Sequence, residues 1–273
     1  MYMQKIKYII NNIDSTFKVA RKFMLPYIGI RYIIGNYLYG HLFENEADGF
    51  RKLRKQDNLL TIDVGGNDGL FSRFLTSFIS DSIVHIFEPV LLHSAKLNKL
   101  KSNNNQFFVH ALACGAKKDE GFIHVPYITL LSKKLYLSAY STISDRETDN
   151  FAELNHFASS FYFNNKIKIA TQKINIRPLD SYSLAPDILK IDVEGLEELV
   201  VLGALQTINN SKPVIYVEQP SNTINDIMGE MGYKKYIFES TTQTFKEVQE
   251  NKDKIYNYYY IYDTSVFHED AFK

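Results

Sequence analysis

From Leu59 onward the sequence alternates short apolar runs with helix-length segments, and this rhythm restricts the fold more than any other feature. The runs 59–64 (LLTIDV), 82–87 (SIVHIF), 106–112 (QFFVHAL), 188–193 (ILKIDV) and 213–218 (PVIYVE) read as strands. Segments 69–79, 90–101 and 195–208 read as helices. Apolar runs that do not alternate with polar residues are buried on both faces, as in a parallel sheet built from βαβ units. The expected architecture is α/β, a doubly wound sheet of the Rossmann-like kind.

Three regions break the rhythm. Residues 119–176 carry strand-like runs at 121–126 and 166–176 around a polar, aromatic middle with Phe157, Phe161, Tyr162 and Phe163. So long an excursion inside a compact domain marks a functional loop or an inserted lid. The runs 234–239 and 256–262 suggest a C-terminal antiparallel hairpin. Residues 1–56 have helical spacing and form an N-terminal extension to a domain expected to span 57–273.

Through residue 35 that extension carries Lys5, Lys7, Lys18, Arg21, Lys22 and Arg31 against Asp14 alone. Together with Ile9, Ile10, Phe17 and Phe23, this suits either a helix lying on a membrane surface or a cap whose basic face stays in water. Over the whole chain charge is balanced. The formal net charge is +0, so no electrostatic case exists for a nucleic-acid partner. Cys114 is the only cysteine, which rules out an intrachain disulfide and a cysteine-built metal site and favours a reducing, cytoplasmic setting. No uncharged apolar run reaches about 18 residues, so no membrane span is expected, and no signal peptide is apparent.

In an open parallel sheet, ligands bind beyond the carboxyl ends of the strands. The first strand ends in Asp63-Val64-Gly65-Gly66-Asn67-Asp68-Gly69, the second in Glu88, the third near His110, and the last two in Asp192-Val193-Glu194 and Glu218. Glycines allow a tight turn and close approach of a ligand. An acid about twenty residues after such a turn is placed to accept both ribose hydroxyls. The glycine spacing is not GxGxxG, and no basic residue stands near to take a pyrophosphate. A ribose-bearing ligand without phosphates fits better than a nicotinamide dinucleotide, and S-adenosylmethionine is one whose positive end suits Asp63 and Asp192.

TIDVGGNDGLFS, IFEP, LDSYSLAPDILKIDVEGLEELVVLGA and KPVIYVE, in that order, resemble the FkbM family of S-adenosylmethionine-dependent methyltransferases. The resemblance spans about residues 59–219, and KIDVEG is its most specific element. It implies a class I methyltransferase core in which Asp63, Gly65, Gly66, Asn67 and Gly69 surround the methionine part of the cofactor and Glu88 holds the ribose. Two residues depart from the family pattern: Gly66 stands where alanine is usual, and Asp68 where an apolar residue is usual. The implied acceptor is an alcohol, first of all a sugar hydroxyl of a surface glycan or its precursor, with a small secondary metabolite as the alternative. A non-catalytic binding module of the same fold is the competing class, with Asp68 as its support.

Methyl transfer to a hydroxyl needs positioning and deprotonation. Asp192 and Glu194, flanking Val193, would share a face of an extended strand end. They could serve as base and orienting acid, or with Glu218 hold a divalent cation such as Mg²⁺. Alternatively Asp192 bonds the cofactor and Glu194 is an acid favoured at a helix N-terminus. His110 is a further candidate base or a structural histidine, Asp180 a cap for the helix before the fourth strand, and Glu197 a surface charge. Ser141 and Thr142 lie where a lid would touch substrate.

Overall fold

The computed structural model describes residues 45–100, 105–130, 133–136, 141–144, 167–251 and 255–273. The basic segment 1–35 and the lid aromatics from Phe157 to Phe163 lie outside them. The described strands are β1 (Leu60–Val64), β2 (Ile83–Phe87), β3 (Gln106–His110), β4 (Ala113–Cys114), β5 (Asp119–Leu130), β6 (Lys133–Tyr136), β7 (Thr142–Ser144), β8 (Ile167–Arg177), β9 (Ile188–Ile191), β10 (Val214–Glu218), β11 (Lys234–Glu239), β12 (Thr244–Glu247) and β13 (Asn257–Ile261). The α-helices are α1 (Leu70–Thr76), α2 (Leu91–Leu97), α3 (Glu197–Leu202), α4 (Leu205–Ser211) and α5 (Asn222–Glu230).

Eight strands form the main sheet in the order β12-β11-β13-β10-β9-β1-β2-β3. From β3 to β10 neighbouring strands run parallel, and β13 lies antiparallel to both β10 and β11. The chain moves from β1 outward through β2 to β3, then crosses back to place β9 on the other side of β1. That reversal opens a crevice at the carboxyl ends of β1 and β9. Side chains alternate between two cores. Ile62, Val64, Leu189, Ile191, Ile215 and Val217 pack with Val200, Val201, Ile208, Ile224 and Met228 on one face. On the other, Ile188, Val214 and Tyr216 meet Phe71, Phe74 and Leu75 of α1, together with Phe50, Phe245, Tyr259 and Phe267. Phe50 belongs to a 3-10 turn, Asn45–Lys52, that sits within this aromatic core, so the end of the expected helical extension packs as part of the main domain.

Three local expectations change. The helix read at 195–208 is two helices, α3 and α4, broken at Gly203. A Cβ there would strike the Gly115 carbonyl, and the Gly203 carbonyl accepts the Asp180 N–H at 2.9 Å. Asp180 caps a helix, but it is α4, which follows β9: its carboxylate accepts the Thr207 N–H at 2.8 Å, the Thr207 hydroxyl at 2.8 Å and the Gln206 N–H at 3.1 Å. The runs 234–239 and 256–262 do pair antiparallel, as β11 and β13, but not as a simple hairpin: β12 comes between them in the chain and hairpins with β11, and β13 returns to insert between β11 and β10.

A second sheet, β4-β8-β5-β6 with β7 on β5, is built from the region that broke the rhythm. Its apolar face gathers Ile123, Val125 and Ile174 around Ala113 and Val90, so it is anchored on the residues that follow β2 and β3.

Candidate active site

The glycine turn is shaped by its neighbours. Gly65 has φ +78°, and a Cβ on it would collide with the Asp192 carbonyl, so only glycine lets β1 and β9 end side by side here. The N–H groups of Gly65 and Gly66 donate to the Phe87 carbonyl at 3.0 and 3.2 Å, stitching the turn to the end of β2. Asn67, also left-handed at φ +45°, donates its N–H to Glu88 Oε2 at 2.7 Å, and Val90 donates its N–H to Oε1 at 2.7 Å. Glu88 is 5% exposed. Burial pushes its carboxyl up to about 7, against the pull of the two N–H donors and of Lys190. Each oxygen keeps a second lone-pair direction, and Glu88 lines the cavity, so the group could take a vicinal diol.

Behind the turn lies a charge cluster. Lys190 stands opposite Asp63 in the β1–β9 register, with its side chain 5% exposed. Its ammonium donates to the Gly65 carbonyl at 2.9 Å and pairs with Asp192 Oδ2 at 3.1 Å and Asp63 Oδ1 at 3.4 Å. Burial alone would lower its pKa, but the two carboxylates more than offset this and raise it. Asp63 is fully buried and also accepts the Ser72 hydroxyl at 2.6 Å. For Asp192, the raising effect of burial is outweighed by Lys190 and by a hydrogen bond with Glu218, so its pKa falls. Asp192 is thus held ionised, which suits it to face a positive ligand and not to take up a proton.

Glu194 has the opposite character. β9 ends at Ile191 and the chain turns through left-handed Glu194 (φ +57°) and Gly195 (φ +95°), so Asp192 and Glu194 do not share a strand face as expected. Both nevertheless line the cavity. The Glu194 side chain reaches solvent, yet its partial desolvation and then the Asp192 and Glu197 carboxylates push it up to about 7, against the pull of Lys190. Glu197 is no surface charge: it is 7% exposed and accepts the N–H groups of Val193 and Gly195 at 3.0 and 3.2 Å, holding the turn on which Glu194 sits.

The opposite wall comes from the second sheet. Ile123, Ser141, Thr142 and Ile143 line the cavity, with Cys114 at its side. The Cys114 thiol is buried and its pKa raised, which keeps it a small apolar group. No lysine or arginine lines the cavity among the described residues, whereas Glu88, Asp192 and Glu194 do. A ligand with a diol and a positive charge fits that donor set.

Of the sequence-derived residues, Gly65, Asn67, Glu88, Asp192 and Glu194 meet at this cavity. Asp63, Gly66 and Gly69 lie behind it, Gly66 packed so closely on Ile86 that a Cβ would clash. Glu218 contacts Asp192 from outside the lining. His110 stands apart: its Nε2 meets His85 Nδ1 at 3.0 Å, its ring stacks on Phe87 at 4.4 Å, and burial lowers its pKa. Asp68 accepts the Leu70 N–H at the start of α1 and does not line the cavity, which removes the support it lent to a non-catalytic module. Among the described residues no group of three or more His, Cys, Asp and Glu side chains could hold a metal ion. The divalent cation expected at Asp192, Glu194 and Glu218 therefore lacks support, because the Lys190 ammonium already stands against Asp192. Sequence reasoning missed Lys190, although a lysine inside the apolar run ILKIDV was a visible signal.

A family model described as Methyltransferase FkbM domain matches residues 63–254. Among solved structures, methyltransferase FkbM from Methylobacillus flagellatus KT is 14% identical with a TM-score of 0.43, over 88% of this chain and 60% of that one. Precorrin-6y C5,15-methyltransferase from Geobacter metallireducens GS-15 is 12% identical with a TM-score of 0.37, over 79% of this chain and 84% of that one. The chain thus spans 60% of the length of the first of these. No curated protein sequence matches it.

Proposed function

Because the chain belongs to the FkbM methyltransferase family, we propose that it moves a methyl group from S-adenosylmethionine to a hydroxyl, that of a sugar in a surface glycan or its precursor. The observation that carries this reading is Glu88, a buried carboxylate bonded to the glycine turn and open to a cavity whose described lining is acidic and free of cations. The cofactor, when bound, supplies a methyl group on a positively charged sulfur. Glu88 would hold its ribose hydroxyls. Asp192, kept ionised by Lys190, would face the positive end. Glu194 would take the proton of the acceptor hydroxyl, which Ser141 and Thr142 orient from the second sheet acting as a lid. Holding acceptor and methyl group together supplies much of the rate by itself.

Calorimetric titration with S-adenosylhomocysteine, with NAD as control, tests the cofactor. Micromolar binding of the first and none of the second is expected, weakened at least about tenfold by Glu88→Ala. The pH sign follows from the raised pKa. Glu88 accepts from both ribose hydroxyls at once only when ionised, so affinity should rise by up to roughly tenfold from pH 6 to pH 8, and the slope should flatten in Glu88→Ala. A folded protein that binds no S-adenosylhomocysteine overturns the reading.

The described helices include none long and apolar enough to cross a membrane. The basic segment 1–35 would instead hold the protein against an anionic cytoplasmic membrane face, close to lipid-linked sugars. Replacing its six basic residues with glutamine should abolish co-sedimentation with vesicles rich in phosphatidylglycerol; unchanged sedimentation would remove the membrane from the proposal.

A further inference from the structure

One rung of the second sheet bears directly on the Glu88 turn. In the β7–β5–β8 register Ile143 pairs with Ile123, and Ile123 with Gln172. Paired residues on neighbouring strands point to the same face, and Ile143 and Ile123 both line the cavity. The third member, Gln172, reaches over to the main sheet. Its Nε2 donates to the Pro89 carbonyl at 2.8 Å, and its Oε1 accepts the Leu91 N–H at 3.1 Å. These two backbone groups flank Val90. The opposite polarity of the two contacts also fixes which way the amide points.

Val90 is the residue through which the clamp reaches the site. Its N–H donates to Glu88 Oε1, and its side chain is buried with Ile123, Val125 and Ile174 in the core of the second sheet. The turn 88–91 is therefore held from one side by the Glu88 carboxylate and from the other by Gln172. A shift of the second sheet would move Val90 and with it one of the two donors that aim Glu88.

We propose that Gln172 is a positioning residue that locks the Glu88 turn from the second sheet, so that the wall carrying Ser141 and Thr142 and the carboxylate that grips the cofactor are seated as one unit. This rests on the function proposed above. Gln172 touches no ligand itself; it acts through the turn. Its counterpart could not be read from sequence, since nothing in QKINIR marks a glutamine whose partners are far away in the chain.

The test is a double-mutant cycle read by calorimetry with S-adenosylhomocysteine on the full chain. Gln172→Met, which keeps the volume and loses both bonds, should weaken binding by roughly tenfold. Gln172→Glu, which still accepts from Leu91 but sets a carboxylate oxygen against the Pro89 carbonyl, should weaken binding at least as much. In the Glu88→Ala background Gln172→Met should cost nothing further, because the group it aims is gone. A general loosening of the fold would instead add its full effect in both backgrounds, and that additivity overturns the proposal. So does wild-type affinity in Gln172→Met. If the wild-type chain itself fails to bind, the cofactor reading falls first and takes this proposal with it. If Gln172→Met does not fold, the same cycle with Gln172→Glu decides.

Discussion

Lys190→Met should lower the stability of the chain by about 3–5 kcal/mol, the usual consequence of removing one partner from a buried charge cluster. At roughly 2–4 °C per kcal/mol for a chain of this size, the melting temperature should drop by about 6–20 °C. The reason is an orphaned charge. Asp63 is fully buried, with Lys190 and Ser72 as its partners, and Asp192 owes its depressed pKa to the same ammonium. Methionine fills the space and stays beside Phe71 but neutralises neither carboxylate. The pKa of Lys190 is raised, so its contribution is fully present below the ordinary lysine value and is lost only as pH climbs past the raised one. The pKa of Asp192 is depressed, so its contribution is present above the ordinary aspartate value and fades as pH falls through the lowered one. The contribution of the cluster to the wild type should therefore be constant from about pH 5 to pH 9, whereas the deficit of Lys190→Met should shrink as pH falls, because the stranded carboxylates can take up protons. Adding Asp63→Asn should restore part of it, since the stranded charge is removed. A melting temperature within a degree or two of wild type would show that the cluster is not sealed from water.

Glu194→Gln should reduce kcat by about 10²–10⁴-fold on any hydroxyl acceptor the protein methylates, with little change in affinity for S-adenosylhomocysteine. Among the carboxylates that line the cavity, Asp192 is held ionised by Lys190 and Glu88 is engaged by two backbone N–H groups. Glu194 sits at the mouth with its pKa near the working pH, where a general base is most effective. Because the base must be unprotonated, wild-type kcat at saturating cofactor should rise with pH through about 7, and the variant should lose that limb. Saturation separates this limb from that of Glu88, whose titration would, on the proposed function, govern cofactor affinity and be suppressed once the ribose is held. Retained kcat in Glu194→Gln would place the base elsewhere. Asp192→Asn is a less informative variant, because it also leaves Lys190 with one carboxylate fewer.

Local pattern carried much of this protein. The five parallel strands, the glycine turn and the acids at the strand ends were legible because each depends on a few consecutive residues and a period of two or 3.6. Glu88 was legible because its distance from the turn is set by one βα unit. The pairing of charges could not be read that way. Lys190 bonds the Gly65 carbonyl across 125 residues, and in sequence it is one more lysine beside an aspartate. Whether such a group is a solvated surface charge or the neutralising centre of a buried cluster depends on which strand lies opposite, and the crossover that places β9 beside β1 decides that. Glu197 looked like a surface acid for the same reason, and its role appeared only once the turn at Glu194 bent back over it. The split of α3 from α4 follows from the approach of the Gly115 carbonyl to Gly203, and the clamp of Gln172 on Pro89 and Leu91 from the seating of the second sheet. By itself the sequence determined the order of elements and the chemistry available at the strand ends, because both are properties of neighbouring residues. Which of those groups are paired, aimed or left free to titrate was decided by the tertiary structure alone, because burial and electrostatic partnership are properties of residues that meet only in the fold.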